Sequence, residues 1–192
     1  MRVISGSARG RRLLPPHGQR VRPTADRVKE SLFSILISLM GNFEGMRALD
    51  LFCGTGSLGI EALSRGCGTA VFVDSHRDSI ALVRKNLELT GFTGQGRILA
   101  REAEAAIGAL EREGEAFHLV FLDPPYRLGL AERLLERLAA SPLLGAATIV
   151  VAETAGDEGP AAAFGPLRQF DRRVYGDTAL SFYRKGTDSD HA

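Results

Sequence analysis

The sequence has few of the features that mark secreted, metal-binding or membrane proteins. Its two cysteines, Cys53 and Cys67, show no CxxC spacing, and its four histidines form no cluster with them or with each other. Such cysteines are typical of packing thiols in a reducing compartment, so we expect no metal site. There is no apolar run of about 18 residues and no apolar segment behind the basic N-terminus. We therefore expect no membrane span, no signal peptide and a cytoplasmic location.

Positive charge is concentrated at the N-terminus, although the whole chain carries a net charge of only +1. Residues 1–30 hold eight basic side chains against two acidic ones. Arginine suits phosphate recognition because its planar guanidinium donates hydrogen bonds in pairs. Arg9, Arg11 and Arg12 lie beside flexible glycines and are predicted to contact a nucleic-acid backbone. A solubilising tail is the alternative interpretation.

One domain with short extensions is the expected organisation for 192 residues of which 44% are hydrophobic. Residues 1–22 are predicted to form a basic arm that resembles a β-hairpin. Residues 23–185 are predicted to form the main domain, and residues 186–192 (GTDSDHA) a disordered tail.

A helix is predicted to open the main domain. Pro23 keeps Arg22 extended and Thr24 can cap the helix, a 3.6-residue apolar period follows, and Gly41 ends it. The helix packs on the core along most of its length. Arg22 and Thr24 stand at its N-terminus, the part that is free to face a ligand, and are predicted to contact the nucleic acid.

The most informative stretch is Arg47–Gly66, which reads RALDLFCGTGSLGIEALSRG. A buried-strand run meets glycines at 54, 56 and 59, and a helical pattern follows. Strand, glycine turn and helix form the first unit of a doubly wound α/β sheet, and the turn binds a cofactor. Gly54 and Gly56 let the backbone approach a ligand, while the next helix offers unpaired N–H groups.

The glycine spacing alone also fits a dinucleotide site, but Asp50 favours a different cofactor. A carboxylate four residues before Gly54 would repel an anionic pyrophosphate and suits a cationic ligand. The stretch resembles the binding motif for S-adenosylmethionine (SAM) in Rossmann-like methyltransferases, whose sulfonium is cationic. SAM is therefore the predicted cofactor.

Two further acidic residues follow predicted strands. Asp74 ends the strand Thr69–Val73 and lies 18 residues after Gly56, where doubly wound folds place an acidic residue on the ribose hydroxyls. Glu102 follows the strand Gly96–Ala100 and is predicted to accept a hydrogen bond from the adenine amino group.

The remaining pattern predicts a Rossmann-like methyltransferase fold. We expect a mostly parallel seven-stranded sheet with helices on both faces, ending in antiparallel strands. The later predicted strands are Phe117–Leu122, Ala147–Ala152, Leu167–Tyr175 and Thr178–Lys185.

The second informative motif is Asp123-Pro124-Pro125-Tyr126, directly after a buried strand. It resembles the catalytic motif of methyltransferases that act on an exocyclic amine. Such a nitrogen is a poor nucleophile because its lone pair is delocalised. If the Asp123 carboxylate and the Pro124 carbonyl accept its N–H groups, the nitrogen gains lone-pair density, and the prolines hold that carbonyl in place. Tyr126 is predicted to stack on the base, an interaction worth about 1–3 kcal/mol.

The chain as a whole resembles the bacterial RsmD family. Residues 22–36 (RPTADRVKESLFSIL) are similar to its RPT-x-x-R-V-x-E-x-L-F signature, residues 4–13 to its I-x-G-x-x-x-G-R-x-L arm, and residues 176–185 to its closing strand. The resemblance extends from Met1 to about Lys185. Ser5 and Glu102 depart from it, since glycine and aspartate are usual there.

The resemblance implies a monomeric cytosolic enzyme that methylates the exocyclic N2 of one guanine of 16S rRNA in a small-subunit assembly intermediate. Its expected catalytic residues are the four of the second motif. The cofactor residues that it implies are Asp50, Phe52, Gly54, Thr55, Gly56, Asp74, Ser75, Glu102, Ala103 and Asp123.

Other functions fit less of the sequence. N6-adenine methylation of DNA or RNA would use the same motif but predicts a target-recognition insert, for which the chain has no room. Glutamine methylation of release factors usually has Asn in place of Asp123. An NAD-dependent oxidoreductase would leave Asp50 and the second motif unexplained. A non-catalytic RNA-binding module would not need both motifs intact.

Overall fold

The computed structural model describes residues 1–16 and 23–186, and the side chains of 23–25 are not described within it. The predicted tail therefore lies outside the described residues, except for Gly186. The chain divides into two compact units, Met1–Glu102 and Ala103–Ala192. The domain boundary predicted at residue 22 stays a prediction.

The first unit contains three parallel strands with helices between them. Its sheet has the order β3-β2-β1, and each strand was predicted to within a few residues. Helix α2 packs on β1 and β2, and α3 on β2 and β3. The elements are α1 Pro23–Met40, β1 Arg47–Leu51, α2 Ser57–Ser64, β2 Thr69–Asp74, α3 Arg77–Thr90 and β3 Gly96–Ala100.

The apolar runs explain why these strands are central. Four of the five residues of β1 and five of the six residues of β2 are buried. Continuous burial is the mark of parallel strands that are covered on both faces. Because the strands run in one direction, their carboxyl ends lie at one edge, where Asp74 is level with Ala100.

The second unit begins as α/β and ends in an antiparallel sheet. Strand β5 runs parallel to β4, whereas β8, β7 and β6 follow in antiparallel pairs, in the order β4-β5-β8-β7-β6. The elements are α4 Ala103–Arg112, β4 Phe117–Leu122, α5 Leu130–Ala139, β5 Leu144–Ala155, β6 Ala163–Phe164, β7 Leu167–Tyr175 and β8 Thr178–Lys185.

The predicted α/β class, with mostly parallel strands and antiparallel strands at the C-terminal end, is confirmed. Three details differ. The described residues contain eight strands, three in the first unit and five in the second, where seven were predicted. Strand β5 is longer than predicted at both ends, and the short β6 was not predicted. No periodicity marks β6, because its pairing comes from β7, whose Gln169 N–H donates to the Ala162 carbonyl at 2.8 Å.

Among the described residues, no helix is long and apolar enough to cross a membrane. In the same ranges, no group of three or more His, Cys, Asp or Glu side chains could hold a metal ion. Both cysteines are buried and free, and burial raises the pKa of the Cys67 thiol to about 12.

Residues 1–16, here called the N-terminal segment, pack against the first unit. Only the Arg2–Arg12 bridge pairs them in a regular antiparallel manner, so the two predicted strands of the arm are reduced to one bridge. Val3, Ala8 and Leu13 are buried. Burial of these apolar side chains holds the segment on the unit.

A buried carboxylate fixes one end of this segment. Glu61 of α2 has no exposed surface, and its oxygens accept the backbone N–H groups of Ile4 at 2.8 Å and Ser5 at 3.0 Å. Arg65 and Lys29 lie 2.8 and 3.4 Å from it. Burial lowers the pKa of Lys29, and Glu61 opposes that shift. Paired in this way, the buried charges satisfy one another.

Gly6 and Gly10 provide a matched pair of substitutions for testing this packing. Both have positive φ, +84° and +82°, but an added Cβ at Gly6 would lie 1.7 Å from the Ser64 carbonyl oxygen, whereas at Gly10 it would meet nothing within 4 Å. Gly10→Ala should cost about 1–2 kcal/mol of unfolding free energy, the price of left-handed backbone. Gly6→Ala should cost several times more, as measured by urea denaturation. Equal costs would show that the segment is not packed as described.

Candidate functional site

The turn between β1 and α2, residues 52–56, is here called the glycine turn. It begins with Phe52, a non-glycine residue at φ +60°, which costs about 1–2 kcal/mol of backbone strain. The Cys53 N–H donates to the Val73 carbonyl at 2.9 Å, and the Gly56 N–H to the Cys53 carbonyl at 2.7 Å. These bonds hold the strained turn at the carboxyl edge of the parallel strands.

The three glycines that follow β1 have three different physical reasons. An added Cβ at Gly54 would meet no atom within 4 Å, so the space beside it is open. At Gly56 it would lie 2.5 Å from a methyl carbon of Val83, and φ is +76°. At Gly59 it would lie 2.4 Å from the ring of Phe72. Gly54 therefore leaves room for a ligand beside the backbone. Gly56 allows both the positive φ and the close approach of Val83, and Gly59 allows close packing of α2 on β2.

The side chains of Asp50 and Asp74 accept backbone hydrogen bonds within and just after the glycine turn. Asp50 is 2% exposed, and its Oδ2 accepts the Gly59 N–H at 2.9 Å. Burial raises the pKa of Asp50 to about 7, and the Gly59 bond lowers it in part. Asp74 accepts the Gly54 N–H at 3.0 Å on Oδ2 and the His76 N–H at 2.9 Å on Oδ1. Since a carboxylate oxygen has two lone pairs, Oδ2 of Asp74 can still accept another hydrogen bond.

The fully buried Asn86 of α3 joins the glycine turn to the N-terminal segment. Its amide donates to the Thr55 carbonyl at 2.8 Å and to the Leu14 carbonyl at 3.3 Å, and its oxygen accepts the Leu14 N–H at 2.8 Å. Lys29 makes a second connection, donating to the Arg2 carbonyl at 2.6 Å and to Ser57 at 3.1 Å. The first residues of the chain thus brace the turn.

The other predicted cofactor residues lie further from the turn. Ser75 is exposed and lines a pocket of about 530 Å³ together with Ile80 and Ala100. Glu102 is exposed beyond the end of β3. Ala103 is the buried first residue of α4. Asp74 accepts the Gly54 N–H and Asp50 accepts the Gly59 N–H, whereas among the described residues neither Ser75 nor Glu102 takes part in these hydrogen bonds.

In the second unit, the motif Asp123–Tyr126 directly follows β4. Pro124 is buried, Asp123 is half-buried and Tyr126 is 37% exposed, which leaves part of its ring accessible. The Tyr126 hydroxyl donates to Glu153 at 2.8 Å and lies 3.4 Å from the Thr178 hydroxyl. Burial raises the pKa of Tyr126, and the Glu153 charge raises it further.

Arg127 anchors the chain just after the motif. It has a positive φ of +61°, its N–H donates to Glu158 at 2.7 Å, and its guanidinium binds both oxygens of Asp157 at 2.8 and 2.9 Å. Glu158 also accepts the Ala155 N–H at 3.1 Å. These contacts tie the motif to the loop after β5.

The three arginines predicted to contact RNA lie within four consecutive residues of the N-terminal segment. Arg9, Arg11 and Arg12 are exposed, and Arg11 donates to the Leu89 carbonyl at 3.2 Å. Arg22 and the Thr24 side chain lie outside the described residues, so the predictions for them stay predictions.

Comparison with known proteins identifies the family. The model described as Conserved hypothetical protein 95 matches residues 1–184. The chain belongs to this family. YlbH of Bacillus subtilis (strain 168), a candidate rRNA methyltransferase, is 38% identical over 185 residues, which are 96% of this chain and 99% of YlbH.

Two further similar proteins come from Escherichia coli. Ribosomal RNA small subunit methyltransferase D of strain K12 is 31% identical over 185 residues, 96% of this chain and 90% of the relative. The solved structure of yhhF, a candidate methyltransferase, has a TM-score of 0.80 and 31% identity, covering 98% of this chain and 99% of that one. More distant matches to SAM-dependent methyltransferases show the shared fold alone. The predicted methyltransferase fold is confirmed, and SAM is the cofactor of that class.

Two polar residues of the candidate site, Asn86 and Glu153, were not predicted from the sequence. No sequence pattern singles out Asn86, because a polar residue in an amphipathic helix is usually exposed. Glu153, in contrast, does follow a recognisable pattern. It is a carboxylate after a buried strand run, the same pattern that pointed to Asp74 and Asp123.

Asn86→Ala tests the brace on the glycine turn. The substitution leaves the Thr55 carbonyl without its buried donor, a loss of about 1–3 kcal/mol, and we expect the dissociation constant for SAM to rise about tenfold, measured by calorimetry. Ser64→Ala is the control, because Ser64 bonds Ser5 and Ala8 of the N-terminal segment but not the turn. Both variants should unfold at lower temperature. Unchanged SAM affinity in Asn86→Ala would contradict the bracing role.

Proposed function

We propose that this chain transfers a methyl group from SAM to the exocyclic N2 amine of one guanine in bacterial 16S rRNA. The substrate is a small-subunit assembly intermediate in the cytoplasm, and the enzyme acts as a monomer. The observation that carries the proposal is the Asp123–Tyr126 motif at the end of β4 in a member of this family. The name of the Escherichia coli relative, a ribosomal RNA small subunit methyltransferase, supports the substrate class.

In the first unit, the residues at the carboxyl ends of the parallel strands have the chemistry that SAM binding needs. The open space beside Gly54 admits a ligand close to the backbone, and Oδ2 of Asp74 can accept a ribose hydroxyl. Asp50 is buried beneath the turn, so its proposed role is to position Gly59 and contribute negative potential, without direct contact. Bound SAM would supply an activated methyl group on a sulfonium. Phe52, Thr55, Gly56, Ser75, Glu102 and Ala103 complete the proposed cofactor residues.

The second unit supplies the groups that activate the amine. The Asp123 carboxylate and the Pro124 carbonyl accept the two N–H bonds of the exocyclic nitrogen, which localises its lone pair toward the methyl group. Pro125 lacks an N–H and fixes φ, so it holds the Pro124 carbonyl in one direction. The partly exposed Tyr126 ring stacks on the base. No strong base is needed, because the proton leaves after methyl transfer.

The RNA backbone is held by the N-terminal arginines. Arg9, Arg11 and Arg12 are exposed on a segment that is itself fixed to the first unit. Phosphate contacts of this kind give salt-dependent affinity and position the substrate without reading its sequence. Arg22 and Thr24 are proposed to extend the contact.

Labelled SAM and small ribosomal subunits test the reaction directly. The subunits come from a strain that lacks this gene, and the labelled nucleosides are separated after incubation. We expect label in N2-methylguanosine. Label in N6-methyladenosine would support the alternative, adenine methylation by the same motif. Absence of label from rRNA, with SAM still bound, would contradict an rRNA substrate.

Asp123→Ala tests the proposed division of labour. Removing one of the two amine acceptors should lower kcat by about 10²–10³-fold, while the dissociation constant for SAM changes less than about threefold. Asp177→Ala is the control, because Asp177 is exposed in the turn between β7 and β8 and the substitution keeps its backbone carbonyl, which accepts the Gly156 N–H at 2.8 Å. Loss of SAM binding in Asp123→Ala would show that Asp123 mainly holds the cofactor.

A further inference from the structure

Glu153 stands beside the amine-binding motif at the carboxyl end of β5. Leu122 of β4 is level with Ala152 of β5 in the parallel register. The next residue of each strand is therefore a carboxylate, Asp123 on one and Glu153 on the other. Because the carboxyl ends of parallel strands meet at one edge of a sheet, the two acids are neighbours.

An acidic side chain is unusual at a half-buried position such as that of Glu153. Burial raises its pKa, and the hydrogen bond from Tyr126 opposes that shift. A half-buried carboxylate costs free energy to the extent that its oxygens are left without partners. Oε1 accepts the Tyr126 hydroxyl, and within the described ranges Oε2 has no hydrogen-bond partner. One oxygen is thus available to a ligand.

The residue also lines a cavity. About 220 Å³ of space is enclosed by Pro124, Pro125, Tyr126, Glu153 and the start of α5, together with the loop after β5. This volume is below the range of about 300–1,000 Å³ that drug-sized ligands need. It suits one small planar group, with the two prolines and the Tyr126 ring as apolar walls and Glu153 as a polar one.

The other two acidic residues that line this cavity, Glu158 and Glu132, accept hydrogen bonds from the backbone. Glu158 accepts backbone N–H groups of Arg127 and Ala155 with its two oxygens. Glu132 is exposed on α5 and accepts the Ala161 N–H at 3.3 Å. Of the three, Glu153 combines partial burial, an available oxygen and a hydrogen bond with the motif.

The chemistry of the base edges gives this oxygen a function. Guanine carries its N2 amine beside a ring N1–H, which is a donor, whereas adenine carries its N6 amine beside an unprotonated N1. An ionised carboxylate only accepts hydrogen bonds. It therefore pairs with the N1–H of guanine and repels the N1 lone pair of adenine. A site built to bond one group rejects the analogue that lacks it.

We propose that Glu153 is the specificity-determining residue of the methyl transfer, accepting the N1–H of the target guanine while Asp123 and the Pro124 carbonyl hold the neighbouring N2 amine. The inference rests on the proposed function and adds to it the group that selects the base. Tyr126 then has two roles: its ring stacks on the base, and its hydroxyl fixes the direction of the Glu153 carboxylate.

Glu153→Gln is the informative variant, since it keeps the shape and an acceptor for Tyr126 but loses the charge. We expect kcat/KM for small subunits to fall at least tenfold, with unchanged SAM affinity and an unchanged or higher melting temperature. Glu136→Gln makes the same chemical change at an exposed position of α5 that does not line the cavity, and it should keep wild-type kinetics. A purely structural Glu153 would leave the turnover of the Gln variant at the wild-type level, and that result overturns the inference.

Base substitution at the mapped target position separates this inference from the proposed function. 2-Aminopurine keeps the amine at C2 but lacks N1–H. The wild-type enzyme should methylate guanine at least tenfold faster than 2-aminopurine, and Glu153→Gln should reduce that ratio to near one. A wild-type ratio near one overturns the role of Glu153 while N2-methylguanosine still upholds the reaction. A wild-type enzyme that labels no guanine overturns both.

Discussion

The structure of the first unit depends on one constraint: a strained turn that contains two glycines must be held rigid at the edge of a sheet. Gly54 and Gly56 have no side chains to fix the glycine turn, and its first residue, Phe52, is strained. Buried polar groups therefore fix it from outside. Asp50 binds the Gly59 N–H, Asp74 the Gly54 N–H and Asn86 the Thr55 carbonyl. Each is a hydrogen bond that would be costly to leave unmade in the interior.

The same requirement explains why the first sixteen residues belong to this unit. They supply one partner for Asn86 and cover Glu61, whose carboxylate would otherwise be buried with only Lys29 and Arg65. A substrate contact made by the exposed arginines of the segment is then one short chain of hydrogen bonds away from the glycine turn. The N-terminal segment combines charge on its outer side with a structural role on its inner side.

In the second unit, chemistry gathers at the carboxyl end of parallel strands for a geometric reason. A strand that ends in prolines cannot continue its ladder, so β4 ends at Leu122 and the Asp123–Tyr126 motif follows at the edge of the sheet. The adjacent strand β5 brings Glu153 to the same level, and the loop contacts of Arg127 keep the motif in place. The antiparallel strand β8 contributes Thr178 near the Tyr126 hydroxyl.

The sequence by itself determined the helices, the strands other than β6, the glycine turn and the Asp123–Tyr126 motif, because each depends on local rules: apolar period, glycine at positive φ and proline at a strand end. It also determined the charge of the N-terminal segment. Tertiary structure alone decided the short β6, the full length of β5 and the partners of the polar residues in the interior and at its edge. Asn86 and Glu153 acquire their roles from groups 72 and 27 residues away. No local pattern records such distances, since the chain must fold before the paired atoms meet.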